Sequence, residues 1–188
     1  MKLHDGIDER LRSFIEAQHI FFVATAPLSS DGHVNLSPKG LEGTFAVLGE
    51  HSVAYLDLTG SGSETVAHLR ENGRITVMFC AFEGPPNIVR LHGRGRYVAL
   101  DDVEFDSYRG LFAEHSGTRG VVVIDVERVS DSCGYAVPLM DHQGDRDLLT
   151  RWADNRGDER LATYRTTRNA RSIDGLPALA PPTVPVAD

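Results

Sequence analysis

The chain has 188 residues, with 27 acidic and 19 basic side chains and a formal net charge of -8. This length suffices for one domain with its own core, and the scattered, outnumbered basic residues make a nucleic-acid partner unexpected. No apolar run is long enough to span a bilayer, so we expect no membrane partner. The two cysteines form no metal pattern, so we expect no metal. The first residues lack an export signal and two cysteines suit a reducing compartment, so we expect a cytoplasmic location.

The first part of the chain is predicted to contain one helix and two β-hairpins. Apolar residues at helical spacing predict an amphipathic helix over residues 5–18. The β-branched and aromatic stretch 20–25 and the alternating stretch 33–37 flank a Ser-Ser-Asp-Gly turn, and therefore predict a hairpin. The second hairpin is predicted over residues 44–48 and 52–58.

The remaining chain is predicted to supply three more strands and three helices. The strands cover residues 74–82, 88–98 and 120–129, and the helices cover residues 101–115, 147–155 and 159–167. Gly93 and Gly95 predict a bend or bulge in the middle strand. This order favours a mainly β (α+β) fold built on a small barrel. We assign residues 1–175 to one domain and the Pro-rich, aperiodic residues 176–188 to a tail.

The segment between the second hairpin and residue 74 is typical of a strand that leads through a glycine-bearing turn into a capped helix. Ser61 and Glu64 have the spacing of a capping box, and Asn72 with Gly73 would end the helix. The N–H groups of residues 62–65 would point out of the positive helix end, where a phosphate can bind. Taken alone, such a pattern more often marks only the start of a helix.

Four short sequences occur in a distinctive order. They are Phe-Phe-Val-Ala-Thr at 21–25, Asn-Leu-Ser-Pro-Lys-Gly at 35–40, the turn at 59–65 and Glu-Asn-Gly-Arg at 71–74. With the order of elements, they make roughly residues 10–130 resemble the pyridoxamine 5′-phosphate oxidase-like, FMN-binding split-barrel family. The resemblance implies a split β-barrel of about six to seven antiparallel strands, with flanking helices and a helical C-terminal extension. It also implies a homodimer with FMN in a groove shared by the two subunits.

The resemblance further implies which residues contact the cofactor. Lys39 takes the place of a family lysine near the flavin phosphate, and Ser63 that of the serine in a Ser-Arg-Lys signature. The implied cofactor-binding residues are Ser37, Pro38, Lys39, Gly40, Thr59, Ser61, Gly62, Ser63, Glu64, Thr65 and Asn87. Glu64 and Thr65 depart from the signature, and Val34 replaces a family arginine. The phosphate is therefore bound mainly by backbone amides, hydroxyls and Lys39, or the ligand differs.

The segment after the last predicted strand would lie near the partner's flavin. It lacks the arginine and tryptophan pattern with which the oxidases close over pyridoxal phosphate, so pyridoxamine phosphate is not the first substrate to expect. Cys133 and Tyr135 are candidates for contacts to the ring or substrate, although a packed thiol explains Cys133 more simply and an aromatic loop anchor explains Tyr135 equally well. No catalytic residue is assigned.

An FMN-dependent oxidoreductase acting on a small molecule is the leading functional hypothesis, since a flavin carries the redox chemistry itself. Two alternatives stay open. One is a flavin-binding carrier or sensor without a substrate, and the other is a relative that binds a deazaflavin or haem.

Overall fold

Eight strands and four helices form the part of the chain that the computed structural model describes, residues 1–179. The strands are β1 Lys2–His4, β2 Ile20–Thr25, β3 Asn35–Gly40, β4 Phe45–Gly49, β5 Ser52–Leu58, β6 Arg74–Cys80, β7 Ile88–Ala99 and β8 Thr118–Ser132. The helices are α1 Glu9–Glu16, α2 Glu64–Glu71, α3 Phe105–Arg109 and α4 Leu148–Arg168. Most of the predicted tail, residues 180–188, lies outside the described residues.

A single curled antiparallel sheet contains seven of these strands in the order β3-β2-β6-β7-β8-β5-β4, and β1 pairs with β8. The predicted hairpins form, because β2 pairs with β3, β4 with β5, and β6 with β7. The two ends of the sheet, β3 and β4, are joined by only residues 41–44, which requires the sheet to curl back on itself. The prediction of a mainly β split barrel with flanking helices and a helical C-terminal extension is confirmed.

The main core fills the inside of the curl. Alternate strand residues such as Val23, Leu91 and Ile124 are fully buried there, and α1 adds Leu11 and Ile15 to the same cluster. Each such side chain contributes about 1.5–3 kcal/mol on burial. A second cluster covers the outer face of β5, β7 and β8 beneath α3. The described start of the tail also packs, since Ala178 is buried against α2.

Helix boundaries are the main difference from the predictions. The helix predicted over residues 5–18 begins only at Glu9, because the Asp8 carboxylate accepts from the Leu11 N–H as an N-cap. The helix predicted over 101–115 is wrong over most of its length, since α3 has only five residues. The two predicted C-terminal helices are confirmed, since Gly157, with φ 70° and ψ 164°, separates α4 into two helical parts between the predicted ranges.

The predicted bulge is confirmed. The register between β7 and β8 shifts between His92 and Gly93, and a Cβ on Gly93 would overlap the carbonyl oxygen of Asp125. Only glycine therefore allows β8 to approach β7 at this point. Among the helices of the described residues, none combines the length and the apolar character that crossing a membrane requires.

Candidate functional site

The turn between β5 and α2 leads into a helix that begins later than predicted. The N-cap is Ser63, and its hydroxyl donates to the carbonyl oxygen of Arg171 at 3.1 Å instead of capping the helix. Glu64 is the first helical residue, and its carboxylate accepts from the N–H of Ile173 at 3.3 Å. The predicted capping box between Ser61 and Glu64 is therefore wrong, because Ser61 lies two residues before the N-cap.

The backbone N–H groups at this helix start have free hydrogen-bonding capacity. Within residues 1–179, no acceptor is bonded to the N–H groups of residues 61–66, and the first helical bond runs from Ala67 to the carbonyl oxygen of Ser63. Unpaired N–H groups at a helix N-terminus carry partial positive charge, which favours an anion. The turn thus keeps the capacity to bind an anion that the sequence predicts, although the N-cap residue is not the predicted one.

The inner face of β3 points toward this helix start. Asn35 donates to Thr65 Oγ1 at 3.1 Å and accepts from the Ser37 hydroxyl at 2.9 Å, so hydrogen bonds fix the strand against the first turn of α2. Leu36 and Pro38 lie on the opposite, exposed face. The alternation of a β-strand therefore places Lys39 on the same face as Asn35 and Ser37.

Lys39 is a partly buried cation without a bonded partner among the described residues. Burial lowers the pKa of its ammonium group, and the carboxylate of Asp57 opposes that change while Arg119 adds to it. An ammonium in this position gains free energy from a bound anion, because it has lost part of its hydration without gaining a salt bridge. Lys39 and the helix start together form an anion-attracting corner of the barrel.

A buried ion pair lies beneath the turn. Arg119 and Asp57 are only 5% and 3% exposed, and Arg119 Nε donates to Asp57 Oδ2 at 2.5 Å. Arg119 also donates to Asn169 Oδ1 at 3.1 Å and to the carbonyl oxygen of Gly62 at 2.9 Å. The sequence patterns above do not predict these residues. The available signal was a charged residue at each of two strand ends that are otherwise apolar, Asp57 in β5 and Arg119 in β8.

The hydroxyl groups among the predicted site residues are largely engaged within the protein. Thr59 is buried, its hydroxyl donates to the carbonyl oxygen of Gly117, and it accepts from Arg165 Nε at 2.8 Å. Ser63 and Ser37 are bonded as described above. The groups that remain open to a ligand are the backbone N–H groups of the turn, the Ser61 hydroxyl and Lys39. Gly40 is partly buried, whereas Ser61 and Gly62 are exposed.

The other predicted site residues lie together, but far from the turn. Gly134 packs so closely on Asn87 that a Cβ would lie 3.0 Å from its backbone, which places Cys133 and Tyr135 beside Asn87. Ser132, at the same end of β8, pairs with Ile88 of β7, whereas Thr118, at the opposite end, pairs with Leu58 next to the turn.

At about 3.3 Å per residue, the 15 residues of β8 separate the two ends by on the order of 45 Å of strand. The turn and the residues around Asn87 therefore lie at opposite ends of β8, whereas Lys39 is paired through Phe21 and Phe79 with Val89, two residues from Asn87.

An open cleft of about 550 Å³ lies between α3 and the neighbouring strands, lined by Leu56, Phe105, Phe112, His115 and Thr118 among others. It contains none of the predicted site residues. In the part of the chain that the structure describes, no three His, Cys, Asp or Glu side chains are grouped as metal ligands.

The fold defines a split-barrel protein, and the corner at α2 is its candidate site for an anionic ligand. The sequence profile described as pyridoxamine 5′-phosphate oxidase matches residues 7–133. The pyridoxamine 5′-phosphate oxidase family protein ustO of Aspergillus flavus is 41% identical over 194 residues, which cover 94% of this chain and 77% of that protein. The chain therefore belongs to the pyridoxamine 5′-phosphate oxidase family.

Solved structures share the fold at low identity. HupZ of Group A Streptococcus superposes with a TM-score of 0.52 at 20% identity, over 68% of this chain and 94% of that chain. A Clostridium acetobutylicum protein related to general stress protein 26, of the pyridoxinephosphate oxidase family, superposes with a TM-score of 0.50 at 16% identity, over 68% of this chain and 91% of that chain. These likenesses show the split-barrel fold alone.

Proposed function

We propose that the protein is an FMN-dependent oxidoreductase that holds its flavin between two copies of the chain and acts on a small-molecule substrate. The observation that carries this proposal is that the N–H groups at the start of α2 are open, while Lys39 lies near enough to Glu64 of that helix for its charge to act on the Lys39 pKa. A helix N-terminus and an unpaired ammonium are complementary to a phosphate monoester. Membership of the family supports a flavin as the molecule that carries this phosphate.

The residues of the corner fit the FMN phosphate in both charge and hydrogen bonding. The N–H groups of residues 62–65 are donors, and Lys39 supplies the charge that the missing family cations would otherwise provide. The hydrogen bond between Asn35 and Thr65 keeps strand and helix in register. Glu64 is held by the N–H of Ile173, which directs part of its charge toward the C-terminal segment. When bound, the flavin supplies hydride or electron transfer.

A homodimer is part of the proposal, because the turn before α2 and the residues around Asn87 lie at opposite ends of β8 in one subunit. A two-fold related copy can bring its own Asn87, Cys133 and Tyr135 to the Lys39 corner of the first subunit. Two exposed side chains provide apolar surface for such a contact. They are Val34, just before β3 and 73% exposed, and Leu36, on the outer face of β3 and 65% exposed. We also propose a cytoplasmic location, since both cysteines are free and suit a reducing compartment.

The test is the absorption spectrum of the purified protein, followed by a fluorescence titration with FMN. We expect a flavin spectrum and saturable quenching at one FMN per chain. A Soret band or a deazaflavin spectrum would overturn the choice of cofactor, and no FMN binding by the cofactor-free protein would overturn the proposal as a whole. Reduction of the bound flavin by NADH or NADPH, followed by reoxidation by an acceptor, separates an enzyme from a carrier or sensor.

A further inference from the structure

The C-terminal extension, which follows the stretch matched by the family profile, crosses the turn before α2. Arg165 of α4 donates to Thr59, Ser63 donates to Arg171, and the Asn169 side-chain amide donates to the carbonyl oxygens of Gly60 at 2.9 Å and Ser61 at 3.4 Å. We propose that Asn169 is a positioning residue for phosphate binding, because it fixes the direction in which the N–H groups of the turn point. This inference rests on the proposed function.

The geometry of the peptide unit carries the argument. The carbonyl oxygens of Gly60 and Ser61 accept from Asn169, and that of Gly62 accepts from Arg119 at 2.9 Å, so three successive carbonyl groups face the same side. The described residues contain no cis peptide bond, and in a trans peptide the C=O and the following N–H point in opposite directions. The N–H groups of residues 61–63 therefore face away from Asn169, and they continue the row of open N–H groups at the start of α2.

Hydrogen bonding fixes the orientation of the Asn169 amide itself. Arg119 can only donate, so the atom of Asn169 that faces its guanidinium must be the oxygen, 3.1 Å away. The amide nitrogen then faces the carbonyl groups of the turn, which can only accept. Asn169 is 0% exposed, and Arg119 is in turn held by Asp57. The series of hydrogen bonds that runs from Asp57 through Arg119 and Asn169 to the turn leaves this amide no alternative hydrogen-bonded orientation.

The departure from the family signature explains why this chain depends on such an arrangement. Glu64 and Thr65 occupy the places of two cations, so the backbone must contribute more of the stabilisation of a phosphate. Backbone donors that already point at the ligand before binding avoid the free-energy cost of ordering the turn on binding. By keeping these N–H groups directed at the phosphate, Asn169 thus makes up for the positive charge that the turn lacks.

The experiment compares affinities for FMN and riboflavin, which differ by the phosphate, in the wild type and in Asn169→Ala. We expect the Kd for FMN to rise about tenfold, while the Kd for riboflavin changes less than about twofold. Asn169→Ser, whose hydroxyl can donate to one of the two carbonyl groups, should have an intermediate Kd for FMN and keeps the test available if the alanine variant folds poorly. Bound FMN should slow hydrogen exchange at the amides of residues 61–65 less in both variants than in the wild type.

The matched control is Asp174→Asn, which weakens the contact of the same segment with His33 but leaves the turn unchanged. It should bind both flavins as the wild type does. The positioning role is overturned if the wild type binds FMN and Asn169→Ala binds it equally well. It is also overturned if Asn169→Ala loses affinity for FMN and riboflavin alike. In both cases the proposal that the protein binds FMN is unaffected. If the wild type binds neither flavin, the proposed function fails, and the inference fails with it.

Discussion

Lys39 is the residue on which the charge of the proposed phosphate site depends. Replacing it with alanine should weaken FMN binding by about 1–3 kcal/mol, the range for one charge-assisted hydrogen bond, as measured by fluorescence titration. The only other lysine of the chain, Lys2, is exposed on β1, so Lys2→Ala is a control with the same change of charge. Equal affinities for the two variants would show that Lys39 does not contact the phosphate.

The lowered pKa of Lys39 also predicts a pH dependence. Burial is the main cause, and Asp57 opposes it. A phosphate needs the protonated ammonium, so FMN affinity should fall as the pH rises through this lowered pKa, before an ordinary lysine would deprotonate. Lys39→Arg should lack that fall, and a titration of both proteins between neutral and alkaline pH measures it.

The stability of the ligand-free protein should change in the opposite direction. Because the pKa of Lys39 is lower in the folded state, the unfolded state binds the proton more tightly. The Lys39 contribution to the free energy of unfolding therefore rises with pH through the same interval, and it levels off above the ordinary lysine value.

Gly62 separates a phosphate site from an ordinary helix start. A Cβ at this position would lie 2.6 Å from the Glu64 carboxylate, which can move, and no backbone atom lies nearer than 4 Å. Gly62→Val should therefore fold, but obstruct a phosphate that approaches the backbone. Thermal melts with and without FMN should show a reduced ligand-induced rise in Tm for Gly62→Val.

The control is Ser61→Ala, which should retain both its Tm and its rise with FMN, since Ser61 is not the N-cap. If FMN raises the Tm of Gly62→Val as much as that of the wild type, the result would count against the phosphate site.

The sequence predicts Lys39 and the turn because both belong to short local patterns. It does not predict Asn169 or Arg119, because their roles arise from contacts across 108 and 62 residues of chain, respectively. Nothing local distinguishes Asn169 from any asparagine that ends a helix.

At the scale of secondary-structure elements, the buried pair of Asp57 and Arg119 joins the end of β5 to the start of β8. Asp57→Ala leaves a buried guanidinium unpaired, and we expect it to lower the free energy of unfolding by about 3–5 kcal/mol. The control is Glu127→Ala, which removes the exposed partner of Arg94 and should change stability by less than about 1 kcal/mol. Urea unfolding curves measure the free energy of unfolding of both variants. A small loss of stability in Asp57→Ala would mean that water reaches Arg119.

Strands were predicted better than helices, for a physical reason. In β2, buried and partly buried residues alternate along the whole strand, so its pattern gives Ile20–Thr25 without error. The helix predicted over residues 101–115 rested on apolar residues that instead cover the outer sheet from irregular backbone, as Phe112 does. β1 is too short for any periodicity, whereas the break that Gly157 makes in α4 falls between the helices predicted over residues 147–155 and 159–167.

At the scale of the whole molecule, the two distant groups of site residues make dimerisation testable through function. Sedimentation equilibrium should give a dimer at micromolar concentration. Mixed dimers of Gly62→Val with Asn87→Ala should recover FMN binding at one of their two sites, because one site then combines both intact halves. A stable monomer that retains FMN, or mixed dimers no better than the parent variants, would contradict the shared site.

The path of the chain also orders the steps of its synthesis. Every strand of the barrel has been made once residue 132 is complete, yet Asn169 and Arg171, which contact the turn, follow more than thirty residues later. Because domains fold as the chain leaves the ribosome, N-terminal parts first, the sheet can pair before its turn is braced. We therefore expect a nascent barrel to form first and to acquire its capacity for a phosphate only when the last helix docks.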